Sequence, residues 1–174
     1  IQVPFLQTVL DRFTLVPVLV GALGEGDAEA IAAALRPHVS ARTLIVVSSD
    51  FTHYGPRFDY VPFEKDVPAR LQQLDKGAAD LIVHKDCAGF LAYVGKTGAT
   101  ICGRNPIAVL LKLLPANAAA AGAARGRATL AAAARMSYAL LLIHYPVLLL
   151  VGAIFGSLWP ESAPAHAVGL VAAW

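Results

Sequence analysis

Charged residues are distributed very unevenly along this chain of 174 residues, and that distribution limits how its two ends can fold. All 14 lysines and arginines, and all but one of the 12 acidic residues, precede Met136. A charge-free run from Tyr138 to Trp159 is long enough to cross roughly 30 Å of hydrocarbon as a helix, with an aromatic ring at each end. We therefore predict an α/β domain at residues 1–115 and an apolar, membrane-spanning segment at residues 136–174.

The stretch between these two parts, residues 116–135, is almost entirely alanine, glycine and arginine. This composition is typical of a weak helix or a linker. Arg125, Arg127 and Arg135 flank the predicted span on one side, so that side is predicted to be cytoplasmic. We expect a cytoplasmic domain that is held at the membrane through residues 138–159. The net charge of +2, with no run rich in lysine or arginine, argues against a nucleic-acid partner.

The first part of the chain has the pattern of a parallel α/β fold. Residues 13–23 and 42–50 are apolar runs that predict strands, and the first run suits a strand covered on both faces. Between them, an alanine-rich helix is predicted from an N-cap at Asp27 to Leu35. Strand, helix and strand at this spacing predict a parallel pair with a right-handed crossover. Further helices are predicted at 1–10, 67–84, 86–94 and 106–114. The predicted fold class is therefore α/β, a mostly parallel sheet with flanking helices, followed by a C-terminal apolar helix.

A polar run, Ser49 to His53, follows the second predicted strand. The carboxyl ends of strands are where open α/β sheets bind their ligands. Asp50 and His53 could share one turn there and orient a metal, relay a proton or hold a substrate hydroxyl. The same residues also suit a plain turn, in which Asp50 caps a backbone amide and His53 fills the loop. Spacing alone leaves both interpretations open.

Cys102 stands just before the helix that Asn105, as N-cap, and Pro106 are predicted to start. A helix N-terminus and the nearby Arg104 would favour the thiolate, which is a metal ligand or a nucleophile. Gly103 allows the backbone to approach its neighbours closely. The alternative is that Cys102 is a small, buried and inert side chain, as we expect for Cys87. Two cysteines do not make a disulfide framework.

Several of these segments resemble the Memo family, which in bacteria and archaea is called AmmeMemoRadiSam system protein B. They run in order from Ile1 to about Leu114 and include VPVLVG, TLIVVSSDFTHYG, FDYVPF, LDKGAADLI, FLAYV and TGATICGRNPIAVLL. The resemblance implies half of the α/β fold shared with class III extradiol dioxygenases of the LigB type. It also implies a cleft for iron or copper, with Cys102 as a metal ligand. The two histidine ligands of the family would precede Ile1.

The function implied by this resemblance is a metal-binding, dioxygenase-like protein of reduced or no activity. In that site His53 would be the acid/base, Asp50 would orient it, and Ser49 and Arg104 would line the pocket of a small-molecule substrate. A second segment, RMSYALLLIHYPVLLLV, resembles a late span of membrane acyltransferases of the acyltransferase-3 type and suggests a gene fusion. The alternatives are therefore a membrane-anchored domain without enzymatic activity, or a fragment of a membrane acyltransferase.

Overall fold

Three parallel strands form the sheet in the computed structural model, which describes residues 2–9, 12–40, 43–114 and 165–172. They are β1 (Phe13–Val20), β2 (Thr43–Ser48) and β3 (Ala165–Ala172). The order is β1-β3-β2, and β3 runs parallel to both neighbours. The predicted strands β1 and β2 therefore point the same way but do not pair with each other, because β3 lies between them.

Five α-helices lie close to the predicted positions, so the α/β class holds for the described residues. They are α1 (Gln2–Val9), α2 (Asp27–Leu35), α3 (Val67–Val83), α4 (Cys87–Thr97) and α5 (Arg104–Leu113). Short 3-10 helices follow at Arg36–His38 and Pro56–Phe58. The helices account for most of the core, whose largest fully buried side chains are Phe90, Ile45, Ile82, Leu110, Val109 and Pro106.

The start of α5 differs from the prediction. The helix begins at Arg104 with Gly103 as its N-cap, two residues before the predicted Pro106. Asn105, the predicted N-cap, instead donates its side-chain amide to the carbonyl oxygen of Gly21 at 2.7 Å. This bond ties the first turn of α5 to the segment that follows β1. The helix α2 shows a similar shift, because Gly26 is its N-cap and Asp27 is its first residue.

The side chains of β2 alternate between two apolar clusters, as expected for a strand with both faces covered. On one face Val46 packs with Leu6 of α1. On the other face Ile45 and Val47 join the main core with α4 and α5. Seven of the ten residues of α5 are buried: Pro106, Ile107, Ala108, Val109, Leu110, Leu111 and Leu113. Since burying one large apolar side chain contributes roughly 1.5–3 kcal/mol, α5 is the helix that most firmly holds the fold.

The strand β1 is more exposed than the sequence predicts. Leu15, Val16 and Leu19 are 38%, 47% and 70% exposed, and Val20 is the buried residue of the strand. The prediction of a strand covered on both faces was therefore wrong for β1, which lies at an edge of the described sheet. An apolar run predicts a strand, but it does not predict whether other parts of the chain cover both faces of that strand.

The C-terminal residues 165–172 also differ from the prediction. They form β3 and not a helix of an apolar segment. The physical reason is that a strand inside a parallel sheet has the same uncharged, apolar sequence as part of a membrane helix, so composition cannot separate them. The linker at 116–135 and the predicted span at 138–159 lie outside the described residues, and attachment to a membrane stays a prediction. Within the described residues, the helices are too short or too polar to cross a bilayer.

The contribution of the main core to the free energy of unfolding can be tested on two neighbouring residues of α4. Phe90 is fully buried, whereas Leu91 is 40% exposed. We expect Phe90→Ala to lower the free energy of unfolding by about 3–5 kcal/mol, because it removes apolar contacts and leaves a cavity. Leu91→Ala, the matched control, should cost less than about 1 kcal/mol. Urea unfolding of the full chain followed by circular dichroism measures both. Equal losses for the two variants would contradict this assignment of the core.

Candidate metal-binding site

Three residues that the sequence singled out meet beyond the carboxyl end of β2. Asp50 and His53 lie on the loop after β2, and Cys102 lies one residue before the N-cap of α5. One ligand atom from each, a carboxylate oxygen, an imidazole nitrogen and the sulfur, can be chosen so that all lie within 4.8 Å of one another. The loop and the helix start thus bring together groups that are about fifty residues apart in sequence.

The sulfur of Cys102 is held against the backbone of the loop that carries Asp50. The backbone N–H of Asp50 donates to Sγ at 3.1 Å, and the carbonyl oxygen of Asp50 lies 3.7 Å from the same sulfur. The Ser49 hydroxyl lies 3.9 Å from the sulfur. The position of the thiol is therefore fixed relative to the Asp50 backbone, and Cys102 is partly exposed rather than buried in the core.

The His53 ring faces Asp50 with one nitrogen and the backbone of the next loop with the other. Its Nε2 lies 3.7 Å from Oδ2 of Asp50, and the His53 side chain is 17% exposed. Its Nδ1 lies 2.8 Å from the carbonyl oxygen of Thr100. The ring of Phe58 lies 5.1 Å away, centroid to centroid, at a tilt of 43°. The imidazole is thus enclosed on several sides but keeps access to solvent.

Ser49 joins the end of β2 to the start of α5. Its buried hydroxyl accepts the backbone N–H of Gly103 at 2.9 Å and donates to the carbonyl oxygen of Asp50 at 2.8 Å. A Cβ on Gly103 would overlap the Cβ and Oγ of Ser49, so this contact requires glycine. Ser49 was also predicted to line a substrate pocket, and that role stays a prediction. In the structure its hydroxyl bonds to the backbone of Gly103 and Asp50.

A shallow, solvent-open depression of about 440 Å³ lies in front of the site. Its wall includes the His53 and Phe58 rings, the Cys102 thiol and the Arg104 side chain. Arg104 is exposed and lies in the wall of this depression, and its role in a substrate pocket stays a prediction. Among the described residues, none forms an ion pair with its guanidinium. Asp50 and Ser49 are not part of the wall of this depression, although Asp50 lies beside His53.

Cys87 differs from Cys102 in its surroundings. It is buried in the main core, and its thiol lies 3.7 Å from the carbonyl oxygen of Ala108. Burial raises the pKa of the Cys87 thiol, with the Lys112 ammonium opposing that effect. The prediction that Cys87 belongs to the core is confirmed.

Sequence reasoning missed the residues that hold the loop from the side of the helices. Asp75 of α3 accepts the backbone N–H of Thr52 at 3.2 Å, and the Tyr60 hydroxyl donates to the carbonyl oxygen of Thr97 at 2.8 Å. Burial, with the Asp75 charge nearby, raises the pKa of both Tyr60 and Tyr93. These hydroxyls therefore stay protonated as donors at neutral pH. No local pattern marks such contacts, because each joins residues at least twenty-three apart.

Comparison with known proteins places these segments in one family. The family described as Memo-like protein matches residues 1–132, which is more than half of the chain. A Protein memo-1 homolog of Caenorhabditis elegans is 38% identical over 119 residues, 64% of this chain and 34% of its own length. Protein MEMO1 of Homo sapiens is 38% identical over 108 residues, 60% of this chain and 36% of its own length.

These matches cover only part of each relative. The chain spans about a third of the length of the curated relatives it matches. No solved structure matches the chain at a significant level. The family match ends at residue 132, and no comparison supports the predicted resemblance of the C-terminal segment to membrane acyltransferases.

The difference between the two thiols predicts selective alkylation. We expect iodoacetamide at neutral pH to modify Cys102 about tenfold faster than Cys87, because burial blocks access to Cys87 and lowers its thiolate fraction. Raising the pH should increase the rate at Cys87, since its raised pKa is then approached. Peptide mass spectrometry of a time course under native conditions, with urea-unfolded protein as the control, measures both rates. Equal rates in the native protein would contradict this difference.

The contact between Ser49 and Gly103 can be tested by adding one methyl group. We expect Gly103→Ala to lower the free energy of unfolding by about 1–3 kcal/mol, because the overlap with Ser49 forces a shift of β2 against α5. Gly95→Ala is the matched control, since nothing lies within 4 Å of an added Cβ there. In the interior of α4 that control should be neutral or stabilising by up to about 1 kcal/mol. A Gly103→Ala variant as stable as the Gly95→Ala variant would refute the close contact.

Proposed function

Because this chain belongs to the Memo-like protein family, we propose that Asp50, His53 and Cys102 form part of a metal-binding site. The observation that carries the proposal is the approach of their ligand atoms to within 4.8 Å of one another. Three such atoms from distant parts of the chain need only small side-chain movements to reach one ion. The three groups also lie beyond the carboxyl end of a strand, which is where α/β folds bind ligands.

The chemistry of the three groups suits a redox metal. Thiolate sulfur and imidazole nitrogen are ligands that copper and iron accept, whereas magnesium and calcium prefer oxygen ligands. We propose Cys102 as the metal ligand of this chain, with iron or copper as the metal. Such an ion would supply a Lewis acid or a redox centre. One thiolate with two neighbours is an incomplete ligand set, so we expect weak binding by this chain by itself.

The remaining residues have roles that follow from their positions. His53, whose Nε2 lies 3.7 Å from Asp50 Oδ2, would act as the acid/base, and Asp50 would orient its ring. The depression in front of the site would hold a small, oxygenated substrate beside Cys102. The exposed Arg104 at that depression favours a substrate that carries negative charge. A dioxygenase-like activity of reduced strength, related to class III extradiol dioxygenases, is the function we propose.

The proposal is tested by measuring metal content after loading with ferrous or cuprous ions under anaerobic conditions. We expect Cys102→Ala to weaken binding by at least about 10–100-fold, the loss that already follows when only the outer partner of a metal ligand is removed. Cys87→Ala is the matched control, since it also removes one thiol, and it should change the affinity less than about threefold. Elemental analysis after dialysis against a graded chelator gives the affinities. Binding that survives Cys102→Ala unchanged would refute the role of Cys102.

A further inference from the structure

Thr100 forms three hydrogen bonds with His53. None of them involves the carboxylate or the thiol of the metal-binding site. The Thr100 hydroxyl accepts the backbone N–H of His53 at 2.8 Å and donates to the backbone carbonyl of His53 at 2.7 Å. The carbonyl oxygen of Thr100 lies 2.8 Å from Nδ1 of the His53 ring. One threonine thus contacts the backbone on both sides of the His53 Cα, and the ring as well.

The ring contact decides which nitrogen of His53 carries the proton. A carbonyl oxygen only accepts hydrogen bonds, so Nδ1 must be the protonated donor. In a neutral imidazole the other nitrogen, Nε2, is then unprotonated. Nε2 is the nitrogen that lies 3.7 Å from Asp50 Oδ2, on the side of the site. In the neutral ring, the bond to the Thr100 carbonyl therefore leaves Nε2 with a lone pair, and not a proton, where the thiol and the carboxylate meet.

The hydroxyl contacts keep that carbonyl in position. Thr100 and His53 lie on two separate loops, one before α5 and one after β2, and two hydroxyl bonds join the loops where the ring bond is made. The Asp50–Cys102 and Ser49–Gly103 bonds also join these two loops, but the hydroxyl bonds act at His53 itself and hold its backbone beside the Thr100 carbonyl. The Phe58 ring, 5.1 Å from the imidazole between centroids, also limits its rotation.

We propose that Thr100 is a positioning residue, which fixes the Nδ1-protonated tautomer and the orientation of His53 so that Nε2 faces the metal-binding site. The role of this tautomer at a metal-binding site rests on the proposed function. The tautomer itself is a property of the metal-free chain and can be measured without metal. Histidines at metal sites commonly donate their second ring N–H to a carbonyl or carboxylate, which sets the tautomer and raises the basicity of the other nitrogen. The resemblance to the family marks Asp50, His53 and Cys102, and it gives no role to Thr100.

The tautomer is measured by nitrogen-15 NMR of the metal-free full chain with labelled histidine, at a pH where the imidazole is neutral. In the unsubstituted protein we expect His53 to be protonated at Nδ1 and unprotonated at Nε2. Thr100→Val keeps the shape of the side chain and removes both hydroxyl bonds, so a mixture of tautomers should appear. Thr100→Ser keeps the hydroxyl and should retain the Nδ1-protonated form. Circular dichroism checks that each variant is folded.

The outcomes separate this proposal from the proposed function. His53 protonated at Nε2 in the unsubstituted protein would overturn the role of Thr100, even if Thr100→Val failed to fold. An unchanged tautomer in folded Thr100→Val would overturn it as well. If the expected tautomers are found but no metal binds, the metal-binding function fails and the positioning role stands.

Discussion

The site depends on a hydrogen bond between two distant parts of the chain, from the backbone N–H of Gly103 to the buried hydroxyl of Ser49. This bond joins the end of β2 to the start of α5, and a side chain on Gly103 would prevent it. Because Asp50 follows Ser49 and Cys102 precedes Gly103, the same contact holds the Cys102 thiol against the Asp50 backbone. The helix α5 is buried along most of its length, so its start cannot move without disturbing the core. A change in the packing of α5 in the core would therefore also change the geometry of the site.

The sequence predicts much of this site because its residues lie at the boundaries of helices and strands. Asp50 and His53 follow an unmistakable strand, and Cys102 precedes a helix with strong start signals, so their positions can be read locally. Their approach to one another follows from the rule that ligands bind beyond the carboxyl ends of strands. Thr100 and Asp75 could not be predicted in this way. Each contributes through a hydrogen bond to a residue far away in sequence, and such pairings depend on how the loops pack.

The errors of prediction have a common physical cause. Apolar composition predicts that a segment is removed from water. It does not predict whether other parts of the protein or a lipid bilayer cover that segment. For β1 the run of apolar residues suggested cover on both faces, and Leu15, Val16 and Leu19 are nevertheless exposed in the described structure. For residues 165–172 the same kind of run suggested part of a membrane segment, and they form β3. Hydrogen bonding to neighbouring strands satisfies the backbone of β3, which a helix would satisfy internally.

The burial of α5 also has a consequence for how freely its sequence can vary. Seven of its ten residues are enclosed by the core, and the others are Arg104, Asn105 and Lys112. In a library of random variants, accepted changes in this helix should therefore concentrate at those three positions, since the enclosed ones tolerate little change in volume. Arg104 faces the depression and Asn105 bonds to Gly21. The Lys112 side chain forms an exposed ion pair with Glu29 at 4.0 Å, and such pairs contribute little to stability, so substitutions at Lys112 should be the best tolerated in α5.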